Sequence, residues 1–96
     1  MQPDLVRRRV IVHGRVQGVF FRGSLRERAL AHGVQGWVCN RSDGALEAVL
    51  EGSREAVARV IRFCERGPSR ADVQGIEVSA EAPQGLSGFA VRQRSR

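Results

Sequence analysis

Apolar positions along this chain change period several times, and each change marks an element. Val10, Ile11 and Val12 are contiguous within Arg8 to His13, the pattern of a strand covered on both faces and placed inside a sheet. Phe21, Leu25, Ala29 and His32 then recur at helical spacing, and Gly33 predicts a left-handed C-cap. Strands are expected over Val34 to Asn40 and Ala45 to Glu51, joined by a tight hairpin through Ser42-Asp43-Gly44. Leu46, Ala48 and Leu50 alternate with Glu47, Val49 and Glu51, which predicts one core face and one mostly solvated face.

Ser53 is placed to cap a second helix. Its stripe is Val57, Val60, Ile61 and Cys64, and Gly67-Pro68 stops it. In the strand that follows, apolar parity shifts between Val73 and Ile76 around Gly75, which predicts a bulge. Pro83 to Ser87 reads as a loop and Phe89 to Val91 as a short last strand. The order βαββαβ plus a terminal strand implies an α+β, ferredoxin-like sandwich. Two helices pack on one face of a four- to five-stranded antiparallel or mixed sheet.

No linker, repeat or low-complexity tract interrupts the pattern, so residues 1–96 read as a single domain with its core over about 8–93. Met1 to Leu5 is expected to be a loose end. No stretch has the length of a membrane span, and the N-terminus lacks the apolar core of a secretory signal, so a cytoplasmic protein is expected. Cys39 and Cys64 read as small core side chains. They lack zinc-ligand spacing, and the sequence leaves a disulfide between them open.

Sixteen basic residues against ten acidic ones give a net charge of +6, which favours an anionic ligand. Every basic residue is arginine, which excludes Schiff-base chemistry and lysine-assisted phosphate transfer. Most of these arginines read as composition. Only Arg22 has a placement that argues for more.

That placement is the run Gly14-Arg15-Val16-Gln17-Gly18-Val19-Phe20-Phe21-Arg22, lying between the first strand and the first helix. Glycine permits positive φ angles that let backbone N–H groups converge on an anion, and the helix start adds unpaired donors and a positive dipole end. Arg15, Val16, Gln17, Gly18, Val19, Phe20, Phe21 and Arg22 are therefore the candidate phosphate cradle, with the Arg22 guanidinium matching two phosphate oxygens at once. A second block, Gly36-Trp37-Val38-Cys39-Asn40-Arg41-Ser42-Asp43-Gly44, follows after one helix. Asn40 ends a strand there and can accept from a water while donating to a substrate.

Both blocks resemble the acylphosphatase family, whose members carry a Gly-x-Val-Gln-Gly-Val-x-Phe-Arg loop and then Gly-Trp-Val-x-Asn followed by Asp-Gly. The likeness runs from about Arg8 to Gln93 and includes Ala29, Gly33, Gly67-Pro68, Ala71 and Val73. It implies the same fold. It also implies hydrolysis of the carboxyl–phosphate anhydride of a small-molecule acyl phosphate to carboxylate and inorganic phosphate. Arg22 and Asn40 are then the catalytic residues: Arg22 binds the phosphate and Asn40 holds the attacking water. No metal, no cofactor, no nucleic acid and no membrane is called for, and a monomer is expected. His32, where the family commonly has an aliphatic residue, and the lack of any tyrosine depart from the pattern.

Two other functions compete. The βαββαβ order and positive charge also occur in RNA-binding domains, but those stack bases on aromatics of central strands, and neither Arg8 to His13 nor Ala45 to Glu51 has one. Alternatively the loop binds phosphate without turnover. His13 stands beside Gly14, but a strand-end histidine is accounted for as structural or solvent-facing, and no general base is needed.

Overall fold

The computed structural model describes residues 4–93. Its elements are β1 (Leu5–Arg15), α1 (Phe21–Ala31), β2 (Gln35–Asn40), β3 (Leu46–Ser53), α2 (Arg54–Arg66), β4 (Asp72–Glu81) and β5 (Phe89–Val91). They form one sheet in the order β4-β1-β3-β2-β5, antiparallel except where β5 runs parallel to β2. The expected ferredoxin-like sandwich is thus the observed one, with five strands in a mixed sheet.

One face of the sheet packs against both helices. Val10, Val12, Val38, Leu46, Ala48 and Leu50 meet Leu25 and Ala29 of α1 and Val57, Val60 and Cys64 of α2 in a single buried cluster. A fully buried leucine such as Leu25 contributes about 1.5–3 kcal/mol relative to exposure. Phe63 joins this cluster edge-to-face against Phe21, with ring centroids 5.9 Å apart. Phe63 lies beside the expected stripe of Val57, Val60, Ile61 and Cys64, so the apolar face of α2 is wider than that stripe. The caps behave as expected. Ser53 accepts from the Ala56 N–H at 3.2 Å, and α1 ends with Val34 N–H donating to Ala29 and Gly33 N–H to Leu30.

Two expectations need correction and one is sharpened. First, β1 begins at Leu5 and runs through Gly14 and Arg15, because β4 continues pairing with it as far as Arg15↔Asp72. Of the expected loose end, residues 1–3 lie outside the described residues, while Asp4 binds Arg54 through side chain and backbone. Second, the bulge falls in β4 as expected, but its extra residue is Gln74, between Val73↔Gly14 and Gly75↔His13.

Third, the outer face of β3 is not solvated. Val49 is fully buried and Glu51 nearly so. Glu51 accepts from Arg7 at 2.9 Å and from the backbone N–H groups of Gln84, Gly85 and Leu86, on the segment crossing from β4 to β5. Arg7 also donates to Glu81, and Arg9 pairs with Glu81 and Glu47. The guanidinium groups of Arg9 and Arg92 lie over the Trp37 ring, 5.6 and 4.4 Å from its centroid. Arg7 and Arg9 are therefore structural cations rather than composition alone. Cys39 is buried outside the helix-side cluster while Cys64 lies within it, and both are free.

Candidate active site

The segment from Val16 to Phe20 is pinned from both ends. Val16 and Val19 are buried in the core cluster, so two side chains point inward and hold the loop between them. The Gln17 side chain reaches the neighbouring hairpin, donating to the carbonyls of Arg41 at 2.8 Å and Ala45 at 3.0 Å. Residues 41 and 45 flank the turn after β2, and the Asp43 carboxylate closes that turn by accepting from Ala45 N–H and from Arg41. The Ala45 N–H, aided by Arg41, holds the Asp43 carboxyl below its ordinary value. Gln17 thus fixes the loop relative to Asn40, the last residue of β2.

Backbone conformation turns the loop outward. Gly18 has φ 74° and Phe20, the N-cap of α1, has φ 63° and ψ 30°. A bulky residue in the left-handed region is uncommon and costs of order 1–3 kcal/mol. Phe20 makes no side-chain cap, so no hydroxyl or carboxylate of its own occupies the first helical N–H groups. Its ring is 71% exposed and lies over Gly23, where a Cβ would stand 2.6 Å from the ring.

A cleft of about 430 Å³ opens at this helix start, lined by Val16, Gly18, Phe20, Phe21, Arg22, Gly23, Asn40 and Val91. A second recess of about 350 Å³ adjoins it through Arg22, Asn40 and Val91, with Arg92 and Gln93 at its rim. Both catalytic candidates therefore share one site. Of the eight cradle positions, Val16, Gly18, Phe20, Phe21 and Arg22 line the cleft, whereas Arg15 ends β1, Gln17 clamps the hairpin and Val19 is buried.

Asn40 is 8% exposed, and its Oδ1 is buried without a hydrogen-bond partner. An unpaired buried acceptor is costly. Because Oδ1 has no partner among the described residues, a half-turn of the terminal amide, which exchanges Oδ1 with Nδ2, breaks no hydrogen bond to that oxygen. Ion pairs among the described residues engage Arg7, Arg9, Arg41, Arg54 and Arg59 and leave Arg22 free of any carboxylate. A cation without a carboxylate partner and an amide oxygen without a donor, among the described residues, meet at a helix start.

Val91 was not a sequence candidate. It forms part of the wall because β5 pairs with β2 in parallel, Val38↔Val91, and because Arg26, one turn after Arg22, donates to the Phe89 carbonyl at 3.0 Å. β2 accepts this neighbour and β3 closely at Gly36, where a Cβ would stand 1.8 Å from the Val49 carbonyl oxygen. His13 pairs with Glu77 and takes no part in the cleft. Among the described residues, no group of His, Cys, Asp and Glu side chains has the arrangement of a metal site, and no helix is long and apolar enough to cross a membrane.

The fold and site define a small ferredoxin-like α/β sandwich with a cleft where the loop before its first helix meets the end of β2. Comparison with known proteins narrows it. The acylphosphatase family model matches residues 8–91. An acylphosphatase of Rubrobacter xylanophilus is 56% identical over 85 residues, covering 88% of this chain and 77% of that protein. An acylphosphatase of Haloarcula marismortui is 50% identical, over 90% of this chain and 94% of that protein. The solved structure of an acylphosphatase from Coxiella burnetii is similar at a TM-score of 0.89 and 35% identity, covering 93% of this chain and 94% of that one. The chain belongs to the acylphosphatase family.

Proposed function

We propose that this chain hydrolyses acyl phosphates at the cleft between the Val16–Arg22 loop and the end of β2, without a metal. The observation that carries this is the convergence of Arg22 and Asn40 on one cleft at the start of α1. An acyl phosphate is a mixed anhydride and already activated, so its hydrolysis needs charge neutralisation and a placed water more than a strong base. Loop and helix-start amides from Val16 to Arg22 surround the phosphate oxygens, and Arg22 adds a two-pronged, charge-assisted contact. Each such contact contributes about 1.5–3 kcal/mol.

Asn40 accepts from the attacking water and orients it. The water oxygen bonds to phosphorus, the bond from phosphorus to the acyl oxygen breaks, and the electron pair leaves with the carboxylate. The water proton passes to a phosphate oxygen of the substrate, which removes the need for a protein base. Several features support this division of roles: among the described residues Arg22 has no carboxylate competing for it and Oδ1 of Asn40 has no donor, and Gln17 holds their two segments in register.

The same proposal treats the chain as one domain acting as a cytoplasmic monomer on a small molecule. One chain supplies the whole cleft, and two buried free thiols suit a reducing compartment. A nucleic-acid role finds less support, since the outer sheet face is filled by the Arg7, Arg9, Glu47, Glu51 and Glu81 ion pairs instead of a row of stacking rings. Hydrolysis of benzoyl phosphate in excess chelator tests the whole. Fast turnover is expected; a folded chain that binds phosphate without turnover would leave a binding domain.

A further inference from the structure

The helix surface carries a second concentration of cations, separate from the cleft. Arg28 and His32 from the end of α1 and Arg59, Arg62 and Arg66 from α2 surround a recess of about 260 Å³ with Phe63 in its wall. Among the described residues it shares no lining residue with the proposed catalytic cleft, and no carboxylate lines it. Arg59 is paired with Glu55, whereas Arg28, Arg62 and Arg66 have no carboxylate partner among the described residues. Arg28 and Arg66 both lean over the Phe63 ring, at 4.6 and 6.0 Å from its centroid, which holds two like charges near one another.

Complementing helix dipoles explains only part of this. Arg28 and Arg66 stand in the last turns of their helices, where a cation is favourable, but Arg59 and Arg62 stand further back on α2. From Arg59 to Arg66 the helix rises about 10 Å, so the guanidinium groups are spread over more length than a single phosphate spans. Their planar forks suit phosphate oxygens. Phe63 is 5% exposed and lies under Arg28, so no ring face is free to stack a base.

The geometry points to a second anion site on the helix face, one that takes a linear oligophosphate. Tripolyphosphate is the probe, titrated into the Arg22→Ala chain so that the catalytic cleft does not compete, and followed by calorimetry and by the arginine Nε–H resonances. Saturable one-to-one binding is expected, with shifts at Arg28, Arg62 and Arg66. Arg62→Gln with Arg66→Gln in that background should weaken it by about tenfold or more. The same pair of substitutions in the native chain should leave benzoyl phosphate turnover unchanged, which shows that the fold survives.

Absence of saturable binding, or equal affinity in the double variant, would overturn the assignment and leave only diffuse charge. Tighter binding of a short single-stranded oligonucleotide than of tripolyphosphate, lost in the same double variant, would overturn it in favour of a nucleic-acid surface.

Discussion

The two faces of the sheet treat their charges in opposite ways. On the outer face Arg7, Arg9, Glu47, Glu51 and Glu81 are bound to one another, and Glu51 also receives three backbone N–H groups. On the helix face, at the start of α1, Arg22 and Asn40 line a cleft, and among the described residues no carboxylate pairs with the cation and no donor meets the amide oxygen. A paired charge is committed to the fold; an unpaired one beside a cleft is available to a substrate. Substitutions on the first face should therefore change stability and leave chemistry, while those on the second should do the reverse.

Arg22→Ala gives the largest expected effect. Turnover of benzoyl phosphate should fall by about a thousandfold or more, since no lysine exists to replace the charge. Stability should stay within about 0.5 kcal/mol, because no ion pair is lost. Asn40→Ala should cost about a hundred- to a thousandfold in turnover while phosphate affinity changes little. Steady-state kinetics beside isothermal titration with phosphate separates the two.

Glu51→Ala probes the other face. It leaves Arg7 buried without one of its partners and releases the segment before β5, so a loss of about 3–5 kcal/mol is expected in denaturant unfolding. Turnover per folded molecule should be unchanged; a fall there would show that the outer face shapes the site as well. Gln17→Ala sits between the two regions. Losing its bonds to Arg41 and Ala45 should cost about 1 kcal/mol and lower turnover several-fold, as loop and Asn40 drift apart.

The smallest effect is in acid. Burial alone would push the Glu51 carboxyl up, but the N–H groups of Leu86 and Gln84 and the Arg7 guanidinium outweigh it and hold the group below the usual carboxylate range. Arg9 and Arg7 hold Glu81 low in the same way. A lowered folded-state value means the stabilisation is complete above the unfolded-state value of about 4.3 and is lost as pH falls through the folded value. Unfolding curves between neutral pH and pH about 3 should show this loss. Glu51→Gln should flatten the profile; an unchanged slope would remove Glu51 from the acid response.

Features built from neighbours in the chain were legible in the sequence; pairings between distant residues were not. Gly14 to Arg22 and Gly36 to Gly44 are short local runs, and turn chemistry, caps and helix starts follow from neighbours in the chain. The stripe of α2 was visible for the same reason. What stayed hidden depends on distant residues. Arg7 finds Glu51 across 44 positions and Glu81 across 74, so Glu47, Val49 and Glu51 read as a wet face when their partners were unknown. Val91 as a cleft wall was equally hidden, because a parallel neighbour to β2 leaves no turn signal. Leu5 looked loose because its pairing partner is Ser53.

The division of labour between Arg22 and Asn40 is tested most directly by measuring phosphate affinity and benzoyl phosphate turnover for both alanine variants at matched folded fraction, with chelator present. Loss of both quantities in Arg22→Ala, with loss of turnover alone in Asn40→Ala, is the predicted result. Equal loss of phosphate affinity in the two folded variants, or full turnover in either, would contradict it.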